Sequence, residues 1–178
     1  MNIGFDLDKI FINYPPFIPD RIINRLYLKK VSGTLVYRIP PKPEQLLRKL
    51  SHLHYFRPPM QENINTVKAF SRRNNKFFLI SSRYSFLEKL TADIVKRYKL
   101  DGIFDGMFFN FSNKQPHVFK DEVIKKLHID KYIDDDLRLL TYVAKNNAKA
   151  TFFWLNKTLN KPLSKNLNAV TRISDILK

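Results

Sequence analysis

The sequence predicts a three-layer α/β fold built on a mainly parallel sheet, with a small segment inserted near its start. Three observations carry this prediction. Apolar, strand-like runs alternate with helix-like stretches between Gln61 and Leu155, the pattern of a helix-covered parallel sheet. Two of the runs end in aspartates, Ile3-Gly4-Phe5-Asp6-Leu7-Asp8 and Tyr132-Ile133-Asp134-Asp135-Asp136. Most of the prolines (Pro15, Pro16, Pro19, Pro40, Pro41, Pro43, Pro58, Pro59) fall between these features, where they interrupt any regular alternation.

The elements follow in order. Residues 2–6 read as a short buried strand. Residues 13–59 form a small, mostly helical insertion, so the core is expected from residues 1–12 and 60–178. Within the insertion, Asp20 can cap a helix through Ile22, Ile23, Leu26 and Leu28, and Thr34–Ile39 is a short strand or an extended connection. Pro43 followed by Glu44 opens a second helix carrying Leu46, Leu47, Leu50 and Leu53. Gln61–Asn74 reads as a helix with Ile64, Val67, Ala69 and Phe70. Lys76–Ile80 is an apolar strand stopping at Ser81-Ser82-Arg83, and Ser85–Tyr98 is an amphipathic helix in which Ser85 and Glu88 have capping-box spacing. Then come a short strand Met107–Phe111, a helix Val118–Leu127, a strand Tyr132–Ile133, a helix Leu137–Asn146 and a last strand Thr151–Leu155, with Trp154 read as core. In such sheets ligands bind beyond the carboxyl ends of the strands, where every polar cluster named here falls.

A chain of 178 residues supports one well-buried core. It has no cysteine, which excludes disulfides and thiolate chemistry and fits a cytoplasmic protein. No apolar stretch approaches the roughly 20 residues that span a bilayer, and the N-terminus has no signal-peptide pattern. The formal charge is +16, scattered in doublets such as Lys29-Lys30, Arg72-Arg73 and Lys125-Lys126 and nowhere gathered into a basic tail. That charge favours anionic substrates by raising their local concentration, and it keeps a nucleic-acid partner in view as a second class of function.

Carboxylates at the end of a buried strand need a partner, and a divalent cation is the natural one. The alternative for Asp6 and Asp8 is a turn or cap at the strand end. The order of features (strand and Asp-x-Asp, strand and Ser, a Lys opening a helix, strand and Asp-Asp) resembles the haloacid dehalogenase (HAD) superfamily of phosphohydrolases over Ile3 to about Leu155. The final Tyr-Ile-Asp-Asp-Asp and the modest insertion look most like its 5'(3')-deoxyribonucleotidase-type branch.

The resemblance implies a Rossmann-like HAD core, with the insertion acting as a cap that closes over the site and selects substrate. It implies a Mg²⁺-dependent phosphomonoesterase acting through an aspartyl-phosphate on a nucleotide or other small phosphate ester. Asp6 matches the nucleophile and Asp8 the general acid/base. Ser81 matches the phosphate-binding hydroxyl, with Ser82 next to it as the alternative. Arg83 either contacts substrate phosphate or points to solvent. Lys120 matches the lysine that neutralises the nucleophile, with Lys114 and Lys125 as competitors. The expected metal shell is the Asp6 carboxylate, the Asp8 carbonyl and Asp134, with Asp135 ordering a water and Asp136 capping the next helix. Lys9 and Ile10 stand where the family often has Gly and then Thr or Val. All four histidines, His52, His54, His117 and His128, are expected at the surface, although His117 lies near enough to Lys120 to reach substrate. The nucleic-acid alternative is a polynucleotide-end phosphatase, or a non-catalytic binding module on the same core.

Overall fold

The structure, a computed structural model, describes residues 1–15, 28–31, 34–70 and 75–177. Strands β1 (Asn2–Phe5), β4 (Lys76–Ser81), β5 (Gly106–Phe109), β6 (Lys131–Asp134), β7 (Thr151–Leu155), β8 (Lys161–Ser164) and β9 (Leu167–Val170) form one seven-stranded sheet in the order β5-β4-β1-β6-β7-β9-β8. All neighbours run parallel except β8, which is antiparallel to β9. The helices are α1 (Lys42–Ser51), α2 (Gln61–Phe70), α3 (Glu88–Arg97), α4 (Pro116–Lys126), α5 (Leu137–Asn146) and α6 (Ser174–Leu177). A two-stranded hairpin, β2 (Leu28–Val31) with β3 (Thr34–Tyr37), completes the described residues.

Strand alternation divides the core into two layers. Ile3, Phe5, Phe77, Leu79 and Ile133 point to one face, and Ile80, Tyr132 and Phe152 to the other. On the first face Phe5, Phe11, Phe77 and Phe104 meet edge-on or tilted, with centroids 5.4–6.1 Å apart. Each fully buried ring contributes about 1.5–3 kcal/mol. On the second face β1 presents Gly4 where Tyr132 and Ile80 crowd the sheet. A Cβ there would lie 2.8 Å from Tyr132 Cδ2 and 3.1 Å from Ile80 Cδ1. Gly4→Ala is therefore expected to cost about 1–3 kcal/mol of stability in a denaturant melt, by pushing Tyr132 off its position.

The described part of the insertion departs from the sequence reading. Leu28 does not end a helix but opens β2, paired across to Tyr37. The rest of the helix expected from Asp20 lies outside the described residues. Thr34–Ile39 resolves to a strand ending at Tyr37. Helix α1 starts as expected, with Pro43 in its first turn, but it stops at Ser51 and leaves Leu53 outside. Its face is also reversed, since Arg48 is buried while Leu46, Leu47 and Leu50 are more than half exposed. The ends of the segment meet: Asn13 N–H donates to the Pro58 carbonyl (2.9 Å) and Met60 N–H to Phe11 (2.8 Å). Residues 11–13 and 58–60 are thus held side by side just beyond β1.

Elsewhere the expected elements are present with shifted ends. Helix α2 is described to Phe70, and residues 71–74 lie outside the described set. The capping box at Ser85 does not form. Ser85–Leu87 is a 3₁₀ turn, and the Ser85 amide and hydroxyl both donate to Asn113 Oδ1 (3.0 and 3.1 Å), so α3 begins only at Glu88. Strands β8 and β9 and helix α6 were not expected. Every residue of β8 is exposed, so it carries no apolar signature.

Candidate active site

The three central strands set the site. β1 lies between β4 and β6, and their carboxyl ends deliver Asp6, Ser81 and Asp134 to one edge of the sheet. Asp134 shares a face with Tyr132 by the two-residue period of β6. That face is covered by α4, where Lys120 lies one turn before buried Val123 and Ile124. The apolar stripe of α4 thus carries one lysine inward, and it arrives at the sheet edge with 3% of its surface exposed. Lys120 Nζ donates to Asp6 Oδ1 at 2.8 Å and to Asp134 Oδ2 at 2.6 Å. Burial opposes its charge, but Asp134 and Asp6 hold its ammonium well above the ordinary lysine value. Its competitors sit in exposed ion pairs, Lys114 with Glu122 and Lys125 with Asp121.

The carboxylates are arranged for a cation. Ligand oxygens of Asp6, Asp134 and Asp135 all lie within 4.8 Å of one another. These hard oxygen donors suit Mg²⁺, which takes one or two carboxylates and keeps several waters. Burial, the largest influence, pushes the Asp6 carboxyl up to about 7; Lys120 pulls it back, and Asp134 and Asp8 push it up again. Asp135 is raised as well, by burial and then by Asp134 and Asp6, with Lys9 opposing. Its backbone carbonyl accepts the Trp154 indole N–H at 2.9 Å. Trp154 packs against the core layer of Tyr132 and Phe152, as expected, but it is only half-buried and also lines the cavity beside the acids. Asp136 caps α5 as expected, accepting from Arg138 and Leu139 N–H, and its other oxygen accepts from the Tyr37 hydroxyl at 2.6 Å.

Asp8 is held away from that cluster. Arg83 donates through Nε to Asp8 Oδ2 (2.9 Å) and through Nη2 to Oδ1 (2.9 Å), while Arg57 Nη1 donates to Oδ1 at 3.0 Å. Burial alone would raise this carboxyl, yet Arg83 and then Arg57 hold it well below the ordinary carboxylate range. The expected choice for Arg83 between phosphate and solvent gives way to this grip, because the nearest anion to its fork is Asp8. Its Nη1 lies 3.3 Å from Thr91 Oγ1. Ser81 is 1% exposed at the end of β4. The Ser82 hydroxyl is buried with no hydrogen-bond partner among the described residues, and both Ser81 and Ser82 line the cavity.

Lys9 occupies the left-handed region, with φ 58°. Glycine adopts that conformation at little cost, whereas a residue with a Cβ gives up about 1–2 kcal/mol. The side chain turns back over the site, its Nζ 4.6 Å from the Tyr14 ring centre and 3.8 Å from Asp135 Oδ2.

Two histidines overturn the surface expectation, since His52 and His117 are 3% and 9% exposed. His52 fills the space behind Arg57. Burial, then Arg57 and Arg83, push its pKa well below the ordinary histidine value. The neutral ring fits its contacts, with Nδ1 donating to the Arg48 carbonyl (2.7 Å) and Nε2 accepting from Arg57 Nη2 (2.8 Å). His117 does not line the cavity; its ring packs against Tyr37 and Tyr142. The cavity itself, about 340 Å³, includes Asp6, Asp8, Lys120 and Asp135, with Tyr14, Phe86 and Trp154 among its aromatic walls.

Arg57, His52 and Tyr14 were missed by sequence reasoning, as was Tyr132, whose buried hydroxyl lies 3.1 Å from Asp134 Oδ2. Tyr132 alone had a usable signal, two positions before Asp134 on the same strand face.

Comparison with known proteins bears on the fold. No family model matches the chain, and no curated protein matches its sequence. Solved structures do match its shape. A putative beta-phosphoglucomutase from Thermotoga maritima superposes with a TM-score of 0.63 at 14% identity, covering 99% of this chain and 96% of that one. A haloacid dehalogenase-like family hydrolase from Xanthomonas campestris gives 0.63 at 12% identity, over 99% and 92%. The chain has the HAD-hydrolase fold. A D,D-heptose 1.7-bisphosphate phosphatase from B. bronchiseptica, solved with magnesium and phosphate, superposes with a TM-score of 0.55 at 10% identity over 99% and 95%. Among the described residues no helix is long and apolar enough to cross a membrane.

Proposed function

We propose that the chain is a Mg²⁺-dependent phosphomonoesterase that works through an aspartyl-phosphate on Asp6. The observation that carries this reading is the Asp6, Asp134 and Asp135 cluster at the strand ends, braced by buried Lys120. A cation held there would offset repulsion between the Asp6 carboxylate and an anionic phosphoryl group. Asp6 attacks phosphorus, the bond from phosphorus to the ester oxygen breaks, and the leaving alcohol oxygen takes a proton from Asp8. That proton is the one Asp8 received from the attacking water of the preceding turnover, and the two arginines beside Asp8 make it easy to give up. Water then attacks the aspartyl-phosphate, gives its proton to Asp8, and phosphate leaves as Asp6 is regenerated. Lys120 supports the phosphoryl charge in both halves, and the Ser82 hydroxyl supplies a donor to its oxygens.

The cavity volume suits a small ligand. Tyr14, Phe86 and Trp154 on its walls support a substrate with a planar ring, which favours a nucleotide within the wider class of small phosphate esters. Residues 13–59 are the cap, joined to the core where Asn13 meets Pro58. A phosphate-release screen over phosphorylated metabolites tests the function. Release that requires Mg²⁺ is expected on at least one ester, and release on none would refute it.

The pH dependence of metal binding is a second check. An acid whose folded pKa lies above its unfolded value of 3.8 stabilises the protein at low pH and loses that contribution as pH rises towards 7. Asp6 and Asp135 both behave this way, so their contribution to metal-free stability should fall over that window. His52 and His117, lowered by burial, act in the opposite sense as pH rises towards 6.5. Mg²⁺ binds the ionised forms, so the rise in Tm that it causes should grow from about pH 5 to about pH 7 and then level off. A rise of equal size at both ends of that range contradicts the assignment.

A further inference from the structure

Arg57 is 2% exposed, and each of its guanidinium nitrogens has a partner. Nε donates to the Ser51 carbonyl (3.0 Å), Nη2 to His52 Nε2 (2.8 Å) and Nη1 to Asp8 Oδ1 (3.0 Å). Its plane lies over the Tyr14 ring, 4.9 Å from the centre. The Tyr98 hydroxyl at the end of α3 donates to its backbone carbonyl at 2.7 Å. Two of the three guanidinium contacts are to the end of α1, and the third reaches across to Asp8. Burying a guanidinium is costly, and an apolar side chain often fills such a place at no loss of stability. Its presence here asks for a role at the carboxylate.

The geometry of Asp8 supplies one. An ionised carboxylate has about four acceptor positions. Arg57 Nη1 and Arg83 Nη2 fill both on Oδ1, and Arg83 Nε fills one on Oδ2. A single position remains, on Oδ2. We propose that Arg57 is a positioning residue for the second half-reaction: it completes the closure of Oδ1, so that only Oδ2 of Asp8 can take the proton of the water attacking the aspartyl-phosphate. In that step the bond from water oxygen to phosphorus forms, the bond from phosphorus to Asp6 breaks, and the proton moves to Asp8 Oδ2. Without Arg57, Oδ1 reopens and offers a second acceptor position that competes with Oδ2, while Arg83 alone holds the carboxylate. Because Arg57 hangs from the end of α1, the same contact makes the base-ready orientation depend on residues 51–57 being seated. The inference rests on Asp8 being the acid/base of the reading above.

The test is steady-state and rapid-mixing kinetics with p-nitrophenyl phosphate and Mg²⁺, whose leaving group departs without needing a proton. In Arg57→Gln, kcat should fall by about 10²-fold and KM should fall in parallel, leaving kcat/KM nearly unchanged. A burst of p-nitrophenol equal to the enzyme concentration should appear, because the phosphoenzyme now accumulates. Arg57→Lys, which keeps the buried charge, should recover part of kcat and guards against loss of fold in the glutamine variant. A fall in kcat/KM with no burst marks general structural damage and overturns the role, as does an unchanged kcat. If wild type releases no p-nitrophenol, or Asp6→Asn releases it equally well, the underlying phosphatase reading fails and takes this inference with it; a working wild type with no burst in the variants sinks the inference alone.

Discussion

Asp6→Asn is expected to lower Mg²⁺-dependent phosphate release by about 10⁴-fold or more, as removal of a covalent nucleophile does. The fold should survive. Burial drives the Asp6 carboxyl up to about 7, so above that pH the ionised side chain is held at a cost beside Asp134 and Asp8. A neutral amide of the same shape removes that cost, although it weakens the contact with Lys120. Metal-free Asp6→Asn should therefore melt no lower than metal-free wild type at about pH 8, while its gain in Tm from Mg²⁺ shrinks. Loss of activity together with loss of fold would leave Asp6 a structural residue and contradict its chemical role.

Lys120→Met is expected to have the largest effect on stability, about 3–5 kcal/mol in a denaturant melt without metal. The methionine fills much of the same volume but leaves Asp6 and Asp134, 6% and 1% exposed, without their shared cation. Removing one partner of a buried ionic cluster exposes the remaining charges to each other, and Asp134 already takes the shorter of the two contacts at 2.6 Å. Mg²⁺ should restore part of the loss, since it brings positive charge to the same oxygens. The variant's Tm should therefore rise more on adding Mg²⁺ than that of wild type. Equal increments in the two proteins would show that lysine and metal do not share these carboxylates.

What the sequence disclosed and what it hid divide along a physical line. The central strands were legible because a buried strand has to be apolar and its polar end stands out, as with Phe5-Asp6 and Ile133-Asp134. Lys120 was legible by its resemblance to the family lysine, opening a helix that leads into the Asp134 strand, and by its spacing from Asp134. Arg57 and His52 were not, because their importance depends on a tertiary contact, the approach of Arg57 to Asp8 across 49 positions of sequence. The leucines of α1 misled for a related reason. Their spacing marks one helix face, but spacing does not say whether that face turns inward, and here the inner position holds Arg48. Strand β8 left no trace because both its faces are solvated and its pairing with β9 is through the backbone. Lys9 gains an explanation only from the backbone: its φ of 58° is the conformation that a glycine would take at little cost.

The central claim is that the phosphoryl group passes through Asp6. Acid quenching of a single turnover in the Arg57→Gln variant, followed by peptide mass analysis, addresses it most directly. A phosphoryl group on the peptide containing Asp6, absent when Asp6 is also asparagine, is the expected result. Turnover of the same ester with no phosphoryl group on that peptide at any quench time, and no burst of product, would contradict it.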